Sequence, residues 1–249
     1  MKPSTVSQSI ALEVCVAADD LNNLPEQMLA VNQGGAQRVE LCAAMADEGL
    51  SPELAAIELA RSYLDKSLEL LVMVRPRAGD FCYSPSEIHR MQQQIERAAT
   101  AGANGVVLGS LNDQQQLALP ALQCLTATAR QAGLKITFHR AFDALSHPLD
   151  AIMQLSELGV DRVLSSGTSW HSKQGATDGL PRLSAFLQQA QGKMELVVGG
   201  GVNLHNLPYL HQSLQTIEGP RSFHCYSAAL SAGRVDPLKL RQLVSILGC

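Results

Sequence analysis

Short apolar runs recur along this chain, separated by longer segments with helical punctuation. The runs are ALEVCV from Ala11, RVELCA from Arg38, ELLVMVR from Glu69, GVVLGS from Gly105, KITFHRAF from Lys135, RVLSSG from Arg162, ELVVGGG from Glu195 and FHCYSA from Phe223. Each covers about 5–8 residues, short for a helix and normal for a strand buried on both faces. Between them, SPELAAIELARSYL offers Ser51 as an N-cap, Pro52 at the first helical position and Glu53 in the first turn. SPSEIHRMQQQIERAATAG starts at Ser84 and closes at Gly102. The endings NQGGAQR, AGANG and ELGVD use glycine in the same way before a new strand. Eight strands alternating with helices predict an α/β chain folded as a (β/α)8 TIM barrel, one domain over residues 1–249 with residues 1–10 as a disordered extension. A doubly wound open sheet is the alternative, but no GxGxxG turn follows the first strand.

Alternation along a strand assigns its side chains to faces. Leu12, Val14 and Val16 suit contact with helices, which turns Glu13 and Cys15 into the barrel. By the same parity Arg38, Glu40 and Cys42 point inward, as do Leu71, Met73, Arg75 and Arg77. TFHRAFD contributes Thr137, His139, Ala141 and Asp143, with Arg140 turned away or at the rim, and FHCYS contributes His224 and Tyr226. Charged groups thus gather near the C-terminal ends of the strands, where barrel enzymes place their sites. If stability were the only demand, branched apolar residues would fill that layer. A buried ionic network that fixes strand register is the competing explanation.

Composition removes several function classes. The net charge of −4 gives no reason to expect a nucleic-acid partner, and neither the N-terminus nor any apolar run suits a membrane-bound protein. The six cysteines, at 15, 42, 82, 124, 225 and 249, contain no CxxC pair, which fits reduced thiols and removes the common zinc patterns.

Three constellations remain. VVGGGVN places Gly199, Gly200 and Gly201 at a strand end, where amides and the start of a helix near Leu204 can receive an anion together with Arg75 and Arg77; a tight turn needs the same glycines. Cys15 and Cys42 lie on neighbouring strands with the same parity, and Met73 is inward on the next, a soft donor set suited to Cu(I). Buried cysteine also packs as a small hydrophobe. Finally, Glu13, Glu40, His139, Asp143 and His224 are candidate acid–base groups. No nucleophile elbow, Walker loop or HExxH fixes a reaction class.

At these residues the chain resembles the CutC copper-homeostasis family, distinct from the choline-cleaving radical enzyme of the same name. The matching segments are LEVCV, RVELC, EGLSP, VMVRPRAGDFCYS, ANGVVLGSL, TFHRAFD, LGVDRVLSSG, GGGVN and FH, in order from Leu12 to His224. The resemblance implies a (β/α)8 barrel, a cytoplasmic location, a homodimer, and Cys15 and Cys42 at the positions proposed as copper ligands. The chain departs from the usual family pattern at Glu48–Pro52, at Val198 and in TSWHSKQGATDG, which carries Trp170 and His171. Two functions follow: Cu(I) handling through the cysteines, or catalysis of an unassigned reaction on a small phosphate or carboxylate compound.

Overall fold

A computed structural model of the protein describes residues 10–248, so Cys249 and residues 1–9 of the expected extension lie outside it. Eight parallel strands close into a barrel in chain order: β1 Leu12–Ala17, β2 Arg38–Cys42, β3 Glu69–Met73, β4 Gly105–Leu108, β5 Lys135–Phe138, β6 Arg162–Ser165, β7 Glu195–Val198 and β8 Arg221–Cys225. The barrel seals where β1 pairs with β8, Glu13 opposite His224. Helices α1 Leu24–Gly34, α2 Leu54–Tyr63, α3 Pro85–Thr100, α4 Leu119–Gln131, α5 Pro148–Glu157, α6 Ala176–Ala190, α7 Leu207–Leu214 and α8 Pro237–Leu247 follow the strands in turn. The fold is a (β/α)8 barrel. Among the described residues, no helix is long and apolar enough to cross a membrane.

Local signals explain most boundaries. Ser84 accepts from the Glu87 amide while Glu87 reaches back to the Ser84 amide, a full capping box at the start of α3. Ser51 differs from its expected role as a cap: α2 begins at Leu54. Ser51 Oγ instead accepts the Arg75 amide at 2.9 Å and donates to Gln94, tying the end of β3 to the neighbouring layer. TFHRAFD is a strand only as far as Phe138; Arg140–Ala144 turns into a short 3-10 helix.

Two cores of unequal size result. The large one lies between strands and helices and includes Val14, Val39, Leu70, Val106, Ile136, Val163, Leu196 and Phe223, the outward set that parity assigns. Each such aliphatic side chain contributes roughly 1.5–3 kcal/mol by leaving water. Inside the barrel a small apolar cluster joins Cys15, Cys42, Leu71, Met73 and Val107. Below it, at the N-terminal end of the barrel, and along β8, β1 and β2 the interior is ionic.

That ionic interior is a single chain of side chains alternating in charge. Lys135 pairs with Glu69, Glu69 with Arg162 at 2.7 Å, Arg162 with Glu195 at 3.3 Å, and Glu195 with Arg38 at 2.7 Å. Arg38 reaches Glu13 at 3.2 Å, Glu13 meets His224 at 2.8 Å, and His224 lies 3.7 Å from Glu40. Lys135, Glu69, Arg162, Glu195 and Arg38 are the first residues of their strands, so the chain closes the N-terminal end of the barrel and then climbs to its mouth. Arg38 is its most heavily engaged member, also donating to Ser222. Replacing it takes a cation from fully buried Glu13 and from half-buried Glu195, leaving them His224 and Arg162 alone. Arg38→Met is therefore expected to cost about 3–5 kcal/mol in urea denaturation; a loss under about 1 kcal/mol, the range of an exposed pair, would show that the chain contributes little.

Candidate functional site

At the C-terminal mouth a cavity of about 170 Å³ is bounded by Cys15, Glu40, Cys42, Met73, Arg75 and His139, with Arg140, Trp170, His224 and Tyr226 around them. Strand register places much of its wall. Cys15 stands opposite Glu40 and Ala17 opposite Cys42, so both thiols and the carboxylate project inward from adjacent strands. A potential ligand atom from each of Cys15, Glu40 and Cys42 lies within 4.8 Å of the others. Met45, on the loop after β2, adds its thioether 3.9 Å from Cys15 Sγ.

Electrostatics sort these groups. The Cys42 hydrogen bond favours the Cys15 thiolate, but burial and the Glu40 and Glu13 charges outweigh it and push the thiol up to about 11. The Cys15 contact, burial and Glu40 raise Cys42 well above 9.0. Both are thiols near neutral pH. Burial also raises Glu40 against the pull of His224. Burial opposes the Glu13 charge, yet the His224 hydrogen bond and the Arg38 charge outweigh it and hold Glu13 below 4.5. His224 goes the other way: burial disfavours its charge, and Glu40 and Glu13 overcome this and raise it.

His139 has no such support. Burial and the neighbouring Arg75 charge pull its imidazole down to about 3, so the ring is neutral. Its Nδ1 accepts the Ala141 amide at 3.1 Å, which leaves the proton on Nε2. The ring fits because residue 109 is glycine; a Cβ there would stand 2.6 Å from the imidazole.

The structure does not gather every expected site residue. Glu13 sits one layer below the cavity, fully buried against Arg38 and His224. Asp143 is buried but turned to the next loop, accepting from Arg140, Ser165 and Ser166. Alternation no longer applies there, because the chain has left β5 for the 3-10 turn. Arg77, beyond the end of β3, is spent on Glu87, Asp80 and three backbone carbonyls and braces its own loop. The Gly199–Gly201 turn lies outside the cavity lining. Gly200 and Gly201 have φ near 89° and 81°, and the Gly201 carbonyl accepts from Asn203 and Asn206. The following helix starts at Leu207 rather than near Leu204.

Charge complementarity at a strand end gives Arg75 three possible partners, Glu13, Glu40 or a bound anion, and it makes no ion pair with either carboxylate. Its Nη1 donates to the carbonyls of Asp47 and Gly49, and its Nη2 to that of Gly79. Residues that parity missed complete the mouth. Phe81 lies against both Arg75 and His139, Trp170 against Phe81, and Arg140 over Trp170. They come from loops, where alternation says nothing; aromatic residues in RPRAGDF and in the segment after LSSG were the available signal.

The sequence model of the CutC family matches residues 10–224. The chain belongs to the CutC family. It is 42% identical over 195 residues to a protein named CutC from Bacteroides thetaiotaomicron, covering 78% of this chain and 73% of that one. It is 36% identical to one from Vibrio campbellii, covering 83% and 79%. The crystal structure of CutC from Streptococcus agalactiae, described there under copper homeostasis, superposes with a TM-score of 0.76 at 30% identity, covering 86% of this chain and 98% of that one. A tryptophan synthase A-subunit from Pyrococcus furiosus, TM-score 0.65 at 15% identity, shares the fold alone.

The opposed shifts of Glu13 and His224 set a pH profile for this CutC chain. Glu13, depressed by folding, stabilises above 4.5, and that contribution is lost as pH falls through its folded value. His224, raised by folding, stabilises below 6.5 and loses this as pH rises through its folded value. Denaturation midpoints across pH should show Glu13→Gln flattening the acid limb and His224→Gln the alkaline limb. An unchanged profile in both variants would mean that this pair does not govern stability.

Proposed function

We propose that this CutC chain binds Cu(I) at the barrel mouth, with Cys15 and Cys42 as its ligands, and serves in copper homeostasis. The observation that carries this reading is the convergence of sulfur. Two thiols and the Met45 and Met73 thioethers, drawn from two strands, a loop and a third strand, line one cavity. Packing alone asks only for apolar volume, which valine or leucine supplies with better-defined rotamers. Soft sulfur donors select Cu(I) over the harder divalent cations. The Streptococcus agalactiae relative, described under copper homeostasis, supports the role in copper homeostasis.

The donor chemistry fits the ion on one condition. Both thiols are held protonated, so copper must displace their protons. Glu40, whose carboxylate receives the Cys42 thiol at 3.5 Å, is placed to take one of them. Bound copper is cargo in this reading, and the barrel supplies a buried, sulfur-lined seat that excludes competing water.

Competition against a chromophoric Cu(I) chelator under reducing conditions tests the assignment. Cys15→Ser and Cys42→Ser should each weaken binding by more than the roughly 10–100-fold typical of changes behind the ligands. Wild-type affinity should fall by about 10-fold per pH unit on acidification if Glu40 keeps one of the two thiol protons and the other leaves. Equal affinity for wild type and the double serine variant would end the ligand assignment.

A further inference from the structure

We propose that the cavity holds a second, non-metal site: a seat for a short carboxylic acid bearing a hydroxyl or ammonium group, its carboxylate received by Arg75 and His139. Arg75 is 2% exposed, yet no carboxylate among the described residues lies within ion-pairing distance of it. The three carbonyls satisfy Nη1 and Nη2 without neutralising the charge, and the Nε–H has no partner. A buried cation left in this state is costly unless an anion joins it. Arg140, the other arginine of the cavity, already has Asp143 at 2.8 Å.

His139 supplies a second buried donor without a partner. It is 3% exposed, and its Nε2, which carries the ring proton, has no hydrogen-bond partner. Phe81 fixes the two together: its ring centre lies 5.2 Å from the Arg75 guanidinium carbon and 5.0 Å from the imidazole centre. Two orphaned donors on one aromatic plate suit a planar carboxylate. Glu40, which also lines the cavity, has its Oε1 buried as an acceptor without a partner. An acid that carries its own donor satisfies both ends, which acetate does not. A phosphate dianion fits worse, since only one cation is uncompensated, Glu40 faces it, and the glycine turn lies outside the lining. At about 170 Å³ the space suits a metabolite of few atoms, below the usual range for drug-sized ligands.

This seat shares the cavity and Glu40 with the copper site but needs no metal, so the test uses reduced, metal-free protein, with the Cys15→Ser/Cys42→Ser variant run in parallel. Thermal melts would be recorded with lactate, alanine, acetate or phosphate against sodium chloride at matched ionic strength. Lactate or alanine should raise the melting temperature saturably by a few degrees in both proteins, and more than acetate or phosphate does. His139→Leu should melt near the wild type without ligand and lose that shift. Arg75→Lys, which keeps the charge, should retain it at reduced affinity. Glu40→Leu, which removes the acceptor, should remove the preference over acetate. Where an arginine variant fails to fold, His139→Leu decides. The proposal is overturned if no acid exceeds the chloride control, if phosphate or acetate shifts the protein as much as lactate and alanine do, or if His139→Leu keeps the full shift.

Discussion

The alternating chain of charges from Lys135 to Glu40 is the constraint on which the interior depends. Apart from exposed Lys135 at the outer end, its members are largely shielded from water, and a buried charge without a partner costs several kcal/mol. Between its ends, each link satisfies the one before and the one after. The register of seven strands is therefore coupled through side chains as well as through the backbone. A slip of one residue on β2 would turn Arg38 and Glu40 toward the helices and break the chain at two places. The same slip would take Cys42 out of the cavity. Fixing the ionic seam thus also fixes the sulfurs.

Such an interior is tolerable because stability comes from elsewhere. The strand–helix core carries the large aliphatic and aromatic side chains on all sides of the barrel, and among them Leu12, Val39, Leu70, Val106 and Phe223 are fully buried. The layer inside the sheet is left free for polar work. It uses that freedom unequally: Leu71, Met73 and Val107 keep an apolar patch on β3 and β4, charged first residues ring the N-terminal end, and only along β8, β1 and β2 does the ionic chain climb to the mouth.

What the sequence disclosed follows the reach of period-two alternation. Within the strands it placed Glu13, Cys15, Arg38, Glu40, Cys42 and His224 inward, and the order of strands followed from the glycine-closed helices. It broke at strand ends. Arg77 and Asp143 lie past Met73 and Phe138, where the chain has turned, and counting by twos no longer tells direction. Arg75, also past its strand, remained at the mouth because loop carbonyls anchor it there. Charge complementarity suggested a carboxylate partner for it, and only the three-dimensional course of the loops shows carbonyls taking that place. Depth was equally hidden: Glu13 and Glu40 share parity and sign, yet one is locked beneath the cavity and the other lines it. The charged first residues of five strands were legible, but their joining into one chain required barrel closure.

Two walls of the mouth consequently differ in chemical character. On one, sulfur and a carboxylate of raised proton affinity sit at the end of the ionic chain, a seat whose occupancy is tied to proton release. On the other, a permanently charged guanidinium and a neutral imidazole share an aromatic plate with no counter-ion. Glu40 belongs to both, as neighbour of Cys42 and as the acceptor facing the cavity. A soft cation at the first wall would draw on Glu40 to take up a proton, while an acid at the second would offer it a hydrogen bond. Because one carboxyl group serves both, its protonation links the two walls. Linkage of this kind is reciprocal by thermodynamic necessity, whichever ligand arrives first.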